Sequence, residues 1–454
     1  MEDREYIQSL VEKSRVAQKA FEKFTQQQVD DVVKAIAKTV YDNAELLAKM
    51  AVEETRMGVY EDKVKKCRGK ASIIWNHIKD KKTVGVISYN SETGVAEVAK
   101  PMGVIGLVTP CTNPIVTPMC NAMFALKGRN AVIIAPHPRA KKETAFLIDL
   151  FKKNIACYGV PDDLIQFLEN PTPDMTGLLM KAVDAIVATG GMGMVRAAYS
   201  SGKPAYGVGA GNVQCIVDKG VDFKAAVPKI IAGRIFDNGI ICSGEQTVIA
   251  HESEYDKIIA EFKANGAYYT ENAQETERLR KAIFPDGVMN KNLVGQSIQK
   301  VAEIAGITLP AGTKLILVKS KAPGEADVLN EEKMCPVIAT FKYKTFEEAV
   351  DIANANLDVA GKGHSVSIHS DDKEHIEYAA NRIPVCRVLI NQVCSTMNGG
   401  SFFNGFAPTT TLGCGSWGNN SISENLDYKH LINITRIGYY MKDNHQPTDA
   451  ELWG

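Results

Sequence analysis

A cysteine with small neighbours stands near the middle of the chain, at Cys242. It follows the glycine-containing apolar turn 236–241, and it precedes the small pair Ser243-Gly244 and the β-forming run Thr247 to Ala250. Small neighbours let a substrate approach the sulfur closely, and a thiolate there can attack a carbonyl and hold the acyl group as a thioester. Most cysteines are small buried hydrophobes, so this stretch alone leaves a structural role open.

The segments that must position Cys242 alternate between strand-like and helix-like patterns. From residue 103 onward, short apolar runs are separated by longer runs with helical spacing. This alternation predicts mainly parallel sheets with helices on both faces, and a second α/β unit that begins near residue 222. Residues 5–80 predict helices. The segments 83–99 and 431–440 predict a hairpin and an edge strand, whose exposed edges would need a covering partner.

Two predicted strand ends carry residues that suit ligand binding. The run Pro110 to Pro114 follows a strand that ends at Thr109, and Thr189-Gly190-Gly191 follows another strand and opens a helix. Glycine permits close approach, and the free amides of a helix start favour an anion. The full Gly-x-Gly-x-x-Gly spacing of a dinucleotide motif is absent, so this turn alone is weak evidence. The glycine-rich run 207–212 precedes a strand-like pattern and is interpreted as a tight loop.

The composition is that of an ordinary globular protein. The chain has 454 residues, of which 45% are hydrophobic and 23% charged, and its formal net charge is -1. This length predicts two or three domains, and the lack of a long charged block argues against nucleic acid and membrane partners. Ten scattered cysteines without a Cys-x-x-Cys pair argue against disulfides and against a metal site. The charged amino terminus lacks a signal-peptide pattern, so we expect a cytoplasmic location.

Five motifs together resemble the aldehyde dehydrogenase family, and more closely its coenzyme A-acylating branch. The motifs are Pro110 to Pro114, Thr189-Gly190-Gly191, Asn238 to Gln246, Glu332 to Val337, and Thr411 to Ser421. Their order over nearly the whole chain is far more specific than any one of them. Within the branch, the runs Pro136 to Lys142 and 408–422 are most similar to succinyl-CoA reductases, also called acylating succinate-semialdehyde dehydrogenases. The aldehyde half of bifunctional aldehyde–alcohol dehydrogenases is also similar.

The resemblance implies an α/β fold with two Rossmann-like parallel domains and a small β element for oligomerisation. Residues 1–222 would form the cofactor-binding domain, with the hairpin 83–99 inserted in it. Residues 223–421 would form the catalytic domain, and residues 422–454 an oligomerisation strand and tail. Members of the family assemble through such strands, so we expect a homodimer or a homotetramer.

The resemblance also assigns roles to single residues. Cys242 falls on the nucleophile, and Asn113 falls on the side-chain donor of the oxyanion hole, which works with the backbone amide of Cys242. Glu332 falls on the carboxylate that holds the nicotinamide ribose. The expected cofactor-binding residues are Thr109, Pro110, Pro136, His137, Arg139, Thr189, Gly190, Gly191, Glu332 and Pro336.

One departure from the hydrolytic members of the family concerns release of the acyl group. Those enzymes have a glutamate before a Leu-Gly-Gly loop that activates water, and the matching residue here is Gly207. Glycine cannot act as a base. The resemblance therefore implies a thioester on Cys242 that survives until a coenzyme A thiol attacks it. We expect an acyl-CoA or semialdehyde as substrate and coenzyme A as co-substrate.

A second departure concerns the adenosine end of the cofactor. The usual lysine of the family is Ala135 here. Arg139, Lys141 and Lys142 lie close by in sequence and could meet a 2′-phosphate, which favours NADP and leaves NAD possible. A solvated helix start explains these three residues equally well.

Four further residues could have either a functional or a structural role. His364 stands where the acylating branch often has a histidine that handles a proton or the coenzyme A thiol, and a structural histidine is the alternative. Ser243, Arg387 and Lys70 are candidates for binding a distal substrate carboxylate, and each has a local structural alternative. For the whole chain, the alternatives are an NAD-using dehydrogenase for acetaldehyde or other short aldehydes, and a non-catalytic scaffold of the same fold.

Overall fold

The computed structural model describes residues 2–454 and contains three β-sheets. In chain order the strands are β1 (Gly85–Asn90), β2 (Val95–Pro101), β3 (Val104–Val108), β4 (Ala131–Ala135), β5 (Ile165–Phe167), β6 (Ala185–Thr189), β7 (Ala205–Val208), β8 (Gln214–Val217), β9 (Thr247–His251), β10 (Ala267–Thr270), β11 (Leu315–Lys319), β12 (Val337–Tyr343), β13 (Val366–His369), β14 (Val388–Ile390) and β15 (Ile432–Gly438). The helices are α1 (Glu2–Phe21), α2 (Gln26–Asp42), α3 (Ala44–Thr55), α4 (Tyr60–Ile78), α5 (Val116–Lys127), α6 (Lys141–Ile155), α7 (Pro173–Ala182), α8 (Met192–Tyr199), α9 (Phe223–Ile235), α10 (Glu252–Ala264), α11 (Ala273–Ile283), α12 (Ile298–Ala305), α13 (Phe346–Val359), α14 (Lys373–Arg382), α15 (Cys394–Met397) and α16 (Asp449–Trp453).

The first sheet has the strand order β5-β4-β3-β6-β7, and all of its strand pairs are parallel. Every residue of β3 and β4 is buried, as expected for central strands that helices cover on both faces. The chain runs outward from β3 in one direction through β4 and β5, and then in the other through β6 and β7. The carboxyl ends of β3 and β6 therefore flank a crevice of the kind that binds ligands in such sheets.

The second sheet has the order β10-β11-β12-β9-β8-β13-β14 and is also wholly parallel. The predicted boundary near residue 222 lies after β8, although β8 already pairs with β9 and β13. The chain passes to this sheet between Val208 and Gln214. The interpretation of 207–212 as a loop was wrong at its start, because Gly207 and Val208 end strand β7.

The third sheet has three antiparallel strands in the order β1-β2-β15. It confirms the predicted hairpin and the predicted late edge strand. Strand β15 pairs with β2 from Ile432 opposite Pro101 to Gly438 opposite Val95. Tyr89 and Tyr439 contact each other on this sheet, with ring centroids 6.1 Å apart, and both are exposed. Within residues 2–454, none of the helices has both the length and the apolar content needed to cross a bilayer.

Candidate active site

A cavity of about 1020 Å³ lies where the carboxyl ends of β3, β4 and β6 face the segments that lead into β9 and β12. It brings together most of the residues that the sequence singled out. These are Lys70, Thr109, Pro110, Asn113, Pro136, His137, Arg139, Thr189, Gly190, Gly191, Cys242, Ser243 and Glu332. The residues that do not line it are His364, Arg387, Pro336, Lys141 and Lys142. The cavity therefore draws its walls from both parallel sheets.

The turn before Cys242 has an unusual backbone. Asp237, Asn238 and Gly239 follow one another with φ angles of 52°, 54° and 73°, in the left-handed region that residues other than glycine rarely adopt. The Asn238 side-chain amide donates to the carbonyl of Gly295 at 3.0 Å. A Cβ on Gly239 would lie 2.9 Å from the backbone of Cys335, so glycine is needed there for space as well as for conformation. The tertiary structure therefore holds this turn in place.

The Cys242 thiol lies in an apolar setting beside a carboxyl group. Cys242 is half-buried and packs against the cluster of Val208, Leu412 and Cys414. Burial, followed by the negative charge of Glu332, raises the pKa of Cys242 to about 12. The thiol is therefore protonated at neutral pH in the free protein, and its proton must be removed before the sulfur can attack.

Two hydrogen-bond donors suited to an oxyanion belong to residues that line the cavity with this sulfur. Asn113 lies in the loop after β3 and lines the cavity, and the NH2 group of its side-chain amide, Nδ2, is the group that can donate to an oxyanion. The backbone amide of Cys242 donates to no backbone oxygen in the described chain. Asn113 and Cys242 thus meet at one cavity although they come from different sheets.

The turn after β6 presents free amides to the cavity. Helix α8 begins at Met192 with Gly191 as its N-cap, and the amides of Gly191, Met192 and Gly193 donate to no backbone oxygen in residues 2–454. A Cβ on Gly191 would meet no atom within 4 Å, so the space beside this turn is open. Free amides at a helix start suit an anion such as the pyrophosphate of a dinucleotide. The residues present therefore fit a nicotinamide dinucleotide at this end of the cavity.

The segment after β4 places one arginine at the cavity. The guanidinium of Arg139 donates to the carbonyl of Thr55 at 3.1 Å, and Arg139 lines the cavity. The first amides of helix α6 are already bound, because the carboxylate of Glu54 accepts from the amides of Lys142 and Glu143 at 2.9 and 2.7 Å. The Lys141 ammonium donates a hydrogen bond to Oδ1 of Asn170 at 3.1 Å. Arg139 is thus the basic side chain of this segment that faces the cavity.

Glu332 lies on the second sheet's side of the cavity. It stands five positions before β12, and its Oε1 accepts a hydrogen bond from the amide of Gly211 at 3.3 Å. Burial raises the pKa of Glu332 to about 7. A carboxyl that titrates near neutral pH can hold or release a proton in the cavity that also contains the Cys242 thiol.

Lys70 brings a positive charge to the cavity without a carboxylate partner. It lies on α4, and its ammonium donates to the carbonyls of Gly399 and Thr409 at 2.7 and 3.2 Å. No carboxylate of residues 2–454 lies within 4.0 Å of this ammonium. Burial lowers the pKa of Lys70 to about 8. Ser243 lines the same cavity, and its hydroxyl donates to the carbonyl of Ser395 at 3.1 Å.

The predicted roles of His364 and Arg387 lack support from their placement. Both side chains are buried and neither lines the cavity, although the Arg387 charge is close enough to lower the pKa of Cys242. The Arg387 guanidinium donates to the carbonyl of His364 at 2.8 Å. It also bonds Ser365 and Asn425, which gives it a structural function. Burial and the nearby Arg387 charge lower the pKa of His364 to about 3, so the imidazole is neutral. Pro336 lies behind the site, where its carbonyl accepts from the amide of Ile316.

Gly207 lies within strand β7 and leaves no room for a longer side chain. A Cβ at this position would lie 2.8 Å from Cγ1 of Val195 and 3.0 Å from Cε2 of Tyr199. The Tyr199 hydroxyl accepts from the Gly207 amide at 2.9 Å. This packing fixes the position as glycine, and Gly207 does not line the cavity.

Sequence reasoning missed a buried ion cluster that joins the turn before Cys242 to helix α4. Lys63 and Lys66 of α4 contact the carboxylate of Asp237 at 3.0 and 2.7 Å. Asp237 lies 174 residues after Lys63 and 171 after Lys66, so no local sequence pattern relates the carboxylate to the two lysines. The basic cluster that the sequence shows after Tyr60 is the one available signal, and it reads equally well as a solvated helix face.

Comparisons with known proteins give a consistent result. The model of the aldehyde dehydrogenase family matches residues 1–290 and 316–431. A succinate-semialdehyde dehydrogenase (acetylating) from Clostridium kluyveri is 56% identical over 448 residues, which cover 99% of each chain. The crystal structure of an acetylating aldehyde dehydrogenase from Geobacillus thermoglucosidasius superposes with a TM-score of 0.94 at 38% identity, over 98% of this chain and 99% of that one.

A third relative was solved with ligands. The propionaldehyde dehydrogenase of Rhodopseudomonas palustris, with bound CoA and an acylated cysteine, is 28% identical, with a TM-score of 0.84 over 95% of this chain and 97% of that one. The expected α/β fold and the resemblance to the acylating branch are thereby confirmed. This chain belongs to the aldehyde dehydrogenase family of oxidoreductases, and within that family to its acylating branch.

Proposed function

We propose that the enzyme interconverts succinyl-CoA and succinate semialdehyde with NADP(H), through an acyl thioester on Cys242. In the reducing direction succinyl-CoA, NADPH and one proton give succinate semialdehyde, coenzyme A and NADP⁺. The 56% identity to a succinate-semialdehyde dehydrogenase supports this choice of aldehyde. The single observation that carries it is the unpaired ammonium of Lys70 in the cavity that also contains Cys242.

The charge of Lys70 matches the distal carboxylate of a succinyl group. An ammonium taken from water is stabilised mainly by an opposite charge, and backbone carbonyls replace that charge only in part. A succinyl chain with its thioester carbon at Cys242 would present a carboxylate to this wall of the cavity. An acetyl or propionyl group has no charge to offer there. With a short acyl chain, the Lys70 ammonium would have only the carbonyls of Gly399 and Thr409 as partners and no opposite charge.

The residues of the chain account for transfer of the acyl group to sulfur. Glu332 accepts the Cys242 proton, because its own pKa of about 7 leaves part of the population ionised at neutral pH. The sulfur then forms a bond to the thioester carbonyl carbon of succinyl-CoA. Asn113 and the Cys242 amide donate hydrogen bonds to the oxygen as it becomes negative, and the bond to the coenzyme A sulfur breaks. The proton held by Glu332 passes to the departing thiolate, so coenzyme A leaves as the free thiol. A succinyl thioester remains on Cys242.

The same donors serve the second half of the reaction. When NADPH is bound, it supplies the hydride that reduces this thioester. Asn113 and the Cys242 amide again stabilise the negative oxygen on the carbon attached to sulfur, and the carbon–sulfur bond breaks to give the free aldehyde. In the oxidising direction the Cys242 thioester is released by the coenzyme A thiol, since Gly207 leaves no carboxylate at the position that activates water in hydrolytic relatives.

The preference for NADP is proposed from Arg139. A guanidinium is suited to a phosphate monoester, because it donates two parallel hydrogen bonds. Glu54 already fills the amides at the start of α6, so Arg139 is left to meet a 2′-phosphate. Use of NAD is the alternative, in which Arg139 serves only to hold the carbonyl of Thr55.

A substrate panel with one variant tests the proposal. Wild-type enzyme is assayed for oxidation of NADPH and of NADH with succinyl-CoA, butyryl-CoA and acetyl-CoA, and Cys242→Ser is assayed alongside. We expect succinyl-CoA with NADPH to give the highest kcat/KM, and the variant to be inactive while remaining folded. Higher kcat/KM with acetyl-CoA and NADH would instead support the short-chain alternative. Retained activity in Cys242→Ser would falsify the cysteine mechanism.

We also propose that two or four copies associate through the three-stranded sheet. The outer strand β1 has an unpaired edge and exposes Val86 and Tyr89, and the exposed ring of Tyr439 contacts that of Tyr89. An exposed strand edge with apolar side chains favours pairing with another chain. Light scattering of the wild type and of Tyr89→Lys tests this, and an unchanged mass for the variant would contradict it.

A further inference from the structure

The carboxylate of Asp237 joins the turn that presents Cys242 to helix α4. Asp237 is completely buried, and its Oδ1 atom accepts from the amide of Val59 at 2.8 Å. Its Oδ2 atom accepts from the ammonium groups of Lys63 at 3.0 Å and Lys66 at 2.7 Å. The backbone amide of Asp237 in turn donates to the Asp62 carboxylate at 2.9 Å. All four partners belong to the start of α4 or directly precede it.

The backbone before α4 lies so close to Asp237 that no side chain fits between them. A Cβ on Gly58, whose φ is +80°, would lie 2.0 Å from Oδ1 of Asp237. Burial alone would raise the pKa of Asp237, but the positive charges of Lys66 and Lys63 lower it overall, so the carboxylate is ionised. This fixed anion holds a backbone that Asp237 and Asn238 adopt in the left-handed region.

Three lysines on one face of α4 contact the Asp237 carboxylate, the cavity or both. Lys63, Lys66 and Lys70 are spaced by three and four residues, so they project from one face of the helix. Lys63 and Lys66 contact Asp237, and Lys66 also lines the cavity. Lys70 lines the cavity with its ammonium bonded to the carbonyls of Gly399 and Thr409. One helix face is therefore bonded to the nucleophile turn at one end and carries the proposed substrate-binding charge at the other.

We propose that Asp237 is a positioning residue: through Lys63 and Lys66 it fixes the turn that presents Cys242 relative to helix α4 and hence relative to Lys70. The part that concerns Lys70 rests on the proposed function. Asp237 itself takes no part in bond making. Its effect is on where the Cys242 sulfur stands in the cavity, and misplacement of a reacting group by about 1 Å can cost about a hundredfold in rate.

The test compares Asp237→Asn with a matched variant, Asp218→Asn. Asp218 is also buried and accepts from Ser370 at 2.6 Å and His375 at 2.8 Å, but it does not line the cavity. Both variants lose one buried charge in a cluster of side chains. The readouts are the melting temperature, kcat and KM for succinyl-CoA, and the rate at which iodoacetamide modifies Cys242, followed on its own peptide by mass spectrometry.

We expect Asp237→Asn to lower kcat by about tenfold to a hundredfold and to shift the rate of Cys242 modification measurably from that of the wild type, because the sulfur stands at a different place in the cavity. Asp218→Asn should lose comparable thermal stability and keep both rates close to those of the wild type. If the two variants change kcat and Cys242 modification equally at equal loss of stability, Asp237 is merely structural and the proposal is overturned. Should Asp237→Asn fail to fold, Lys63→Met removes one of the two ion pairs without changing a residue that lines the cavity, and it is judged by the same criterion.

The modification assay separates this inference from the proposed function. Iodoacetamide requires neither succinyl-CoA nor NADPH, so the rate difference between the two variants tests the placement of Cys242 whatever the substrate is. A wild type that does not reduce succinyl-CoA would contradict the proposed function alone. The comparison of kcat would then use the acyl-CoA that the wild type prefers.

Discussion

Replacing Lys70 by methionine should change the acyl preference of the enzyme more than its overall activity. Lys70 is half-buried, and its ammonium is bonded to two carbonyls and to no carboxylate within residues 2–454. A hydrogen bond between two charged groups contributes about 1.5–3 kcal/mol. At 1.36 kcal/mol for each factor of ten, loss of this bond lowers kcat/KM for succinyl-CoA by about 10- to 150-fold. Butyryl-CoA has nearly the same length without the carboxylate and should lose little.

The assay is the ratio of kcat/KM for succinyl-CoA to kcat/KM for butyryl-CoA, measured by NADPH oxidation. This ratio does not depend on the fraction of folded enzyme, which matters because Lys70→Met leaves the carbonyls of Gly399 and Thr409 without a donor. Lys65→Met is the matched control, since Lys65 also lines the cavity but is exposed and lies 3.7 Å from Asp62. An unchanged ratio in Lys70→Met, or an equal change in Lys65→Met, would refute the reasoning.

The pH dependence of the same ratio provides an independent check. Burial lowers the pKa of Lys70 to about 8, below its ordinary value, so in the free enzyme the ammonium loses its charge as the pH rises through that value. Only the charged form attracts a carboxylate. KM for succinyl-CoA should therefore rise above pH 8 while KM for butyryl-CoA does not, and Lys70→Met should abolish the difference. Parallel pH profiles for the two substrates in the wild type would contradict this assignment.

Three further outcomes are expected. Iodoacetamide modification of Cys242 in the free enzyme should accelerate up to high pH, because the pKa is raised to about 12; a plateau near neutral pH would contradict this. Gly207→Glu should lower the free energy of unfolding by about 2 kcal/mol or more through overpacking against Val195, without creating acid release in the absence of coenzyme A; rapid CoA-independent acid formation, in this variant or the wild type, would contradict the account of Gly207. Arg139→Gln should raise KM for NADPH about tenfold with little effect on NADH, and equal changes for both cofactors would argue against a 2′-phosphate contact.

Much of the fold follows from the sequence because its signals are local. Fully apolar runs such as 131–135 mark strands that are buried on both faces, and the helical spacing between them marks the covering helices. Strand β8 pairs within the second sheet although it precedes the predicted start of the second unit near residue 222. Its sheet was hard to predict, because Gln214–Val217 is short and follows a glycine-rich run typical of a connection. Sheet membership depends on which strands pair, and no single segment encodes that.

Site residues that belong to a sequence motif could be predicted. Residues whose role depends on where the side chain points in the folded protein could not. Cys242 and Asn113 were identified by their motifs, and both line the cavity. The sequence shows Lys70 and Arg387 as equivalent basic residues, yet only Lys70 faces the cavity. What separates them is the orientation of a helix and the packing of a buried guanidinium. The ion pair between Asp237 and Lys63 of α4 could not be predicted from the sequence, because it joins segments that lie far apart in the chain.

The pairing of β15 with β2 has a consequence for how the chain matures during synthesis. Ile432 lies opposite Pro101, so a strand made early gains its second neighbour only after both parallel sheets have been translated. Contacts between such distant segments form late, because a long loop must close first. Until then the newly made hairpin has two open edges, at which nascent chains on one messenger RNA can pair with each other. Truncations that remove residues 432–438 should therefore yield aggregates rather than smaller soluble enzymes.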